Sequence, residues 1–287
     1  MTAVAHTRDE LAQLRADVVE RAAGRQVAVV MTMGALHAGH AELIRQARLR
    51  ADVVIVSIFL NPLQFAPGED LAKYPRTFDA DLVLCRDEGV DLIFAPTPEV
   101  VYPDGEPIVR VSAGPVGDRL EGASRPGHFD GVLTVVAKLF HLTEPDLAFF
   151  GQKDAQQLWL ITRMVRDLDL GVEIVAVPTV RDDAGLALSS RNGYLSEQER
   201  RDALALSSAL RAGAGHGGEG ARAVVAAARQ LVTERSAVEL DYVELVDPQT
   251  FSPVSADHNG DAVLLVAARV GPTRLIDNVT VKVTGKG

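Results

Sequence analysis

The chain has 287 residues, 47% of them hydrophobic and 24% charged, a balance that fits a folded globular protein and excludes a disordered tail. A formal net charge of −10 without any local basic patch argues against a nucleic-acid partner, and a single cysteine, Cys85, excludes an intrachain disulfide and fits a reducing compartment. The longest strongly apolar run, Val53 to Leu60, falls far short of the roughly 20 residues of a membrane span, and the first ten residues lack the basic start and apolar core of a secretory signal, so the expectation is a cytoplasmic protein without a membrane partner.

An amphipathic stretch follows the N-terminus. Short apolar runs then alternate with helix-like segments up to about residue 178. The runs are 27–31, 53–58, 92–95, 147–150 and 172–177; the segments 41–51, 78–89, 132–142 and 155–168 carry apolar residues at three- and four-residue spacing. This order predicts βαβ units and an α/β fold, a Rossmann-like doubly wound parallel sheet whose strands are buried on both faces. After Pro178 the pattern changes. Asp182-Asp-Ala-Gly185 is turn chemistry, and Ser196-Glu-Gln-Glu199 is a helix start with a capping serine. Helical stretches 200–212 and 221–234 are separated by a glycine-rich segment, 213–220, that reads as a flexible connector because no strand precedes it as a phosphate loop requires. Strand-like alternation follows at 238–246, 262–270 and 275–283. The expectation is a nucleotide-binding domain over residues 1–179 and a smaller α+β domain over 180–287.

The chemistry concentrates at the end of the first long run. Met31-Thr-Met-Gly-Ala-Leu-His-Ala-Gly-His40 follows Val27–Val30 without a gap. Ligands in open α/β sheets bind at the carboxyl ends of strands, where helix N-termini favour anions. Gly34 and Gly39 allow close backbone approach, and His37 and His40 share one side of the first helical turn, a phosphate grip with two imidazole donors. Two satisfied structural histidines or a His-x-x-His metal pair are the alternatives, but catalytic zinc needs three protein ligands and no third is nearby. The G-x-G-x-x-G dinucleotide fingerprint is absent. Gln64 follows the second run, Gly151-Gln-Lys-Asp154 follows 147–150, and Leu188-Ser-Ser-Arg191 lies just past the domain boundary; the first two fall on loops at the same sheet edge as the histidines.

Residues 32–40, Asn61-Pro-Leu-Gln-Phe65, Tyr74-Pro-Arg-Thr77, residues 125–132, Phe149 to Gln157 and residues 186–192 resemble, in order and spacing, the pantoate–β-alanine ligase family of the HxGH nucleotidyltransferase superfamily. The resemblance implies ATP-dependent condensation of (R)-pantoate with β-alanine through a pantoyl adenylate, releasing AMP and pyrophosphate. It implies ATP contacts from Met33, Gly34, Ala35, Leu36, His37, Ala38, Gly39 and His40, from Gly151, Gln152, Lys153 and Asp154, from Val180, and from Leu188, Ser189, Ser190 and Arg191. His37, His40, Lys153 and Arg191 would be catalytic, with His37 the proton donor. Gln64 and Gln157 would hold pantoate, Gln64 also bordering β-alanine. Mg²⁺ is implied as an ion bound through the ATP phosphates rather than by a protein metal site, and a homodimer as the assembly. Arg125 and His128 lie near the substrate end in the family, and Tyr74-Pro-Arg-Thr77 reads as a flap or a surface turn. Gln152 stands where the family has glutamate, Met31 where proline is common, and Leu188 where methionine is common. Another HxGH transferase would need basic residues for a substrate phosphate, a tRNA-charging enzyme would need a nucleic-acid-binding body, and a non-catalytic ATP sensor would lack His37, Lys153 or Arg191.

Overall fold

The computed structural model describes residues 2–22, 26–66 and 68–284, which divide into two compact units. The first comprises the chain up to Gln152 together with Gln156–Pro178; the second comprises Lys153–Ala155 with Thr179 onward. The expected boundary had placed Lys153–Ala155 with the first.

In the first unit the elements run β1 (Ala3–Ala5), α1 (Arg8–Arg21), β2 (Val27–Thr32), α2 (Ala38–Arg50), β3 (Val53–Ile58), α3 (Phe78–Asp87), β4 (Leu92–Phe94), α4 (Pro98–Val101), α5 (Glu121–Ser124), α6 (His128–Thr143), β5 (Leu147–Gly151), α7 (Ala155–Asp167) and β6 (Glu173–Val177). The six strands form one parallel sheet in the order β1-β4-β3-β2-β5-β6. The alternation of each strand sends Val29, Ile55 and Phe94 into one core with α1, α6 and α7, and Val30, Val54, Val56 and Ile93 into a second core with Ile44, Ala47 and Cys85 of α2 and α3. Burial on both faces is why these strands read as unbroken apolar runs.

Chain order reverses at the centre of the sheet. From β2 the chain steps to β3 and β4 on one side, then crosses back to β5 and β6 on the other. The chain therefore leaves β2 and β5 in opposite directions, the switch point at whose carboxyl edge open α/β sheets place their ligands. The edge strand β1 was not among the expected strands. Helix α6 starts at His128, four residues before the periodicity begins.

In the second unit, α8 (Glu197–Gly215) and α9 (Ala221–Thr233) cover an antiparallel sheet of β7 (Val238–Val246), β8 (Gly260–Val270) and β9 (Thr273–Val283). Leu206, Leu210, Val224, Ala228 and Val232 pack on Leu264, Val266, Val281 and Val283. The glycine-rich 213–220 segment is not a flexible connector. A Cβ on Gly213 would stand 2.5 Å from Leu264 Cδ2, and one on Gly217 2.4 Å from the Lys282 carbonyl oxygen. These glycines let two helices and a strand approach closely, so the segment is a packed corner.

Candidate functional site

β2 runs into α2 through a short loop held by a residue distant in sequence. Gly34 has φ +86° and Ala35 φ +51°, and this turn aims the Ala35 and Leu36 N–H groups at the Asp81 carboxylate, 3.0 and 2.8 Å away. Thr77 Oγ1 donates to the same carboxylate at 3.0 Å, and Thr32 Oγ1 accepts from Gly34 N while donating to the Ser57 carbonyl. A Cβ on Gly34 would lie 3.1 Å from Asp81 Oδ2. The glycine is needed for the turn and for the close approach of Asp81.

His37 caps α2. Its Nδ1 accepts from Gly39 N at 3.1 Å, and His40 Nδ1 accepts from His37 N at 3.3 Å, a reciprocal capping box built from imidazoles in place of the usual hydroxyl and carboxylate. A nitrogen that accepts an N–H cannot carry its own proton, so this network assigns both rings the tautomer protonated at Nε2. The rings lie with centroids 4.1 Å apart. Asp81, His37 and His40 engage the N–H groups of Ala35, Leu36, Gly39 and His37, so those amides are used within the loop and the imidazole Nε2–H groups are what the helix start offers.

The β3 exit places Gln64 in a 3-10 turn, Pro62–Gln64, capped by Asn61. Asn61 and Gln64 are buried, and their amides interlock. Asn61 Nδ2 donates to Gln64 Oε1 at 3.1 Å and to the Gly131 carbonyl at 3.2 Å, while Asn61 Oδ1 accepts from the Tyr102 hydroxyl at 2.8 Å. Gln64 Nε2 reaches Met33 Sδ at 3.1 Å, so the structure joins Met33 of the histidine loop to Gln64. An amide has two N–H groups and two lone pairs, and these contacts use one of each.

His128 and Arg125 support this turn from behind. The Gln64 carbonyl accepts from His128 Nδ1 at 2.8 Å and from Arg125 Nη2 at 3.3 Å, and Arg125 pairs with Glu69 at 2.6 Å. A carbonyl only accepts, so His128 is protonated at Nδ1 and its Nε2 accepts from Arg125 Nη1 at 3.0 Å. Burial, then the Arg125 charge, lower the His128 pKa to about 4. Burial also raises the Tyr102 hydroxyl above its ordinary range. In the Tyr74–Thr77 segment Tyr74 is buried with its ring edge-on to Phe65, while Arg76 and Thr77 are exposed.

Beyond β5, Gln152–Asp154 forms a 3-10 turn into α7, with Lys153 Nζ 3.4 Å from Asp154 Oδ1. Gln157 is half-buried. Its buried neighbour Gln156 donates to the carbonyls of Val116 and Arg119, both at 2.8 Å, and accepts from Glu121 N at 3.1 Å. It thereby ties α7 to a segment in which Leu120 holds φ +54°. In the second unit, Val180 and Leu188 face each other across a hairpin closed by Leu188 N to Val180 O at 2.9 Å, and Ser189 Oγ caps the 3-10 helix Ser190–Tyr194 by accepting from Arg191 N at 3.3 Å.

The sequence did not point to Asn61, Asp81, Tyr102 or Gln156 as site residues. Asn61 has a local signal as the residue before proline that caps a turn; a buried aspartate on the amphipathic α3 is the only signal for Asp81. Among the described residues no group of three or more His, Cys, Asp or Glu side chains could hold a metal ion, and no helix is long and apolar enough to cross a membrane.

A parallel sheet whose central strand enters a histidine-capped helix beside a chain reversal defines an α/β protein with a candidate ligand site at that edge. The Pantoate-beta-alanine ligase family matches residues 3–280, and the chain belongs to that family of ligases. It is 58% identical over 285 residues to the pantothenate synthetase of Thermobifida fusca, covering 96% of this chain and 94% of that one. It is 60% identical over 261 residues to that of Nocardia farcinica, covering 91% and 81%. The crystal structure of pantothenate synthetase from Thermus thermophilus superposes with a TM-score of 0.89 at 45% identity, covering 96% of this chain and 98% of that one. Pantoate-beta-alanine ligase from Francisella tularensis, complexed with beta-gamma ATP and beta-alanine, superposes with a TM-score of 0.79 at 33% identity, covering 97% of each chain.

Proposed function

We propose that this chain condenses pantoate with β-alanine at the expense of ATP, through a pantoyl-adenylate intermediate. Gln64 carries the reading. It is buried at the carboxyl edge beside the histidine loop and keeps one N–H and one lone pair for a substrate, the pairing that a hydroxy acid bearing both a hydroxyl and a carboxylate requires. Gln157 is assigned to the other side of pantoate.

A carboxylate does not condense with an amine in water because it is a poor electrophile with a poor leaving group. Attack of a pantoate carboxylate oxygen on the α-phosphorus forms an acyl–phosphate bond and releases pyrophosphate. Attack of the β-alanine amine on the acyl carbon then breaks that bond and releases AMP. Positioning and charge stabilisation carry both steps. The Nε2–H groups of His37 and His40 donate hydrogen bonds to the charge developing on the phosphates, His37 being the donor assigned nearest the reaction. Lys153 is assigned to a phosphate, Asp154 to the ribose, Gly151 and Gln152 to the nucleotide, Val180 to adenine, and Leu188–Arg191 to the β- and γ-phosphates. Mg²⁺ would enter with ATP and offset phosphate charge, consistent with the hard, oxygen-rich donors of a triphosphate. The active form in this reading is a cytoplasmic homodimer.

The test is exchange of labelled pyrophosphate into ATP. Exchange that needs pantoate but not β-alanine, with AMP accumulating in turnover amounts only when both are present, is the expected result. Steady pyrophosphate release without either acid refutes the reading.

A further inference from the structure

Strand β9 breaks its own pattern at one place. Thr273, Leu275, Val281 and Val283 alternate into the core of the second unit, and position 277 on the same face is an aspartate whose side chain is 3% exposed. A buried carboxylate is costly unless every lone pair is used. Asp277 fills three of its four lone-pair sites and faces a guanidinium charge. It accepts from Arg181 Nη1 at 2.6 Å and Nη2 at 2.9 Å, a two-pronged ion pair, and from Asn278 N at 2.8 Å.

Arg181 stands at the base of the hairpin that carries Val180 and Leu188–Arg191. Its Nη1 also donates to the Gly185 carbonyl at 3.2 Å, Arg181 bridges Ala187 across the hairpin, and Asp182 closes the tip by accepting from Ala184 N and Leu186 N at 3.1 and 2.9 Å. The hairpin is thus referred to Asp277 through one guanidinium. The next residue, Asn278, lies on the opposite face of the strand, and its Nδ2 donates to the Lys153 carbonyl at 2.8 Å. Two adjacent side chains on one strand therefore hold two segments that lie far apart in sequence.

We propose that Asp277 and Asn278 are positioning residues for ATP: they hold the Val180–Arg191 hairpin and the Lys153 turn at a fixed spacing, so that groups on both meet one nucleotide. The inference rests on the assignment of those two segments to ATP. It explains a buried charge where the strand pattern calls for an apolar residue.

The experiment compares wild type with Asn278→Asp and Asp277→Asn in steady-state kinetics, with direct ATP binding by calorimetry and thermal melting on the same proteins. Asn278→Asp keeps the side-chain volume at a half-buried position and turns a donor into an acceptor facing the Lys153 carbonyl. The expected result is a KM and Kd for ATP raised about tenfold or more, the scale for reacting groups displaced by a fraction of an ångström, with the pantoate KM within about twofold of wild type and melting unchanged. Unchanged ATP parameters in Asn278→Asp overturn the proposal, as does an equal rise in the KM of both substrates, which marks a general loss of structure. If Asp277→Asn does not fold, Asn278→Asp alone decides. Wild type that forms no pantothenate refutes the functional reading instead, and calorimetry with ATP still judges the spacing role.

Discussion

Gly131→Ala tests whether the Gln64 turn is held by packing. Gly131 lies in the first turns of α6, directly against Pro62–Gln64, and a Cβ there would stand 2.2 Å from the Leu63 carbonyl oxygen and 2.8 Å from Gln64 N. Ordinary contact begins at 3.4 Å, so helix or turn must retreat by about 1.2 Å. Both obstacles are backbone and cannot rotate away. Alanine gains roughly 0.5–1 kcal/mol over glycine inside a helix, while overpacking costs roughly 1–3 kcal/mol; with two backbone obstacles the cost falls at the upper end and the net is a loss of about 2 kcal/mol. The retreat also pulls Gly131 O from Asn61 Nδ2, now 3.2 Å away, and with it the amide that fixes Gln64. A shift of that size at a positioning residue costs about 10²-fold in rate. The measurements are kcat/KM for pantoate, the Kd for ATP alone, and the urea midpoint. Pantoate efficiency should fall about 10²-fold with ATP affinity retained and the midpoint lowered. Wild-type pantoate kinetics at an unchanged midpoint refute the argument.

Three further outcomes follow from the same geometry. Lys153→Ala and His37→Ala should each lower turnover by about 10²-fold, the loss of one transition-state contact, with circular dichroism unchanged; near-normal turnover in both rejects their assigned roles. His128 is neutral in the fold down to a pKa of about 4 but protonates near 6.5 when unfolded, so the unfolded state binds the extra proton between those values and stability falls as pH drops from 6.5 to 4. The full effect is about 3 kcal/mol, and unfolding free energies for His128→Gln should lose that slope; parallel curves for wild type and variant refute it. Cys85 is buried and its thiol is pushed up to about 12 by burial and then by Asp81, so a thiol reagent should label it only after denaturation; rapid labelling of the native protein would contradict this.

What could be read from the sequence depended on how many neighbours a residue's role involves. β2 and β3 were legible because burial on two faces demands apolar side chains along most of their length, with only Thr32 and Ser57 polar near their exits. β1 was not, because Ala3–Ala5 is a three-residue edge strand with no period to detect. The start of α6 was hidden by Gly131, which looks like a breaker but is the only residue small enough to sit against Leu63. Gly213 and Gly217 misled in the same way: in both, glycine supplies closeness where composition suggests freedom.

The site divides along the same line. His37, His40, Gln64 and Lys153 sit at strand exits, where fold class alone predicts that ligands bind, so a motif a few residues long exposes them. The residues that hold them answer to partners far along the chain: Asp81 to Ala35 and Leu36, Tyr102 to Asn61, Asp277 to Arg181. Such residues leave only a mismatch behind, a polar group at a position whose period calls for burial. Three of the groups proposed for the chemistry, His37, His40 and Gln64, are also half spent on structure. The histidines commit Nδ1 to the helix cap, which leaves the proton on Nε2, and Gln64 commits half of its amide to Asn61 and Met33, which leaves one donor and one acceptor. The structural bond therefore selects the chemical state. Replacing Gln64 by glutamate would keep its size yet remove the donor to Met33 and place a charge opposite a substrate carboxylate, so it should be as damaging to pantoate binding as deletion of the side chain.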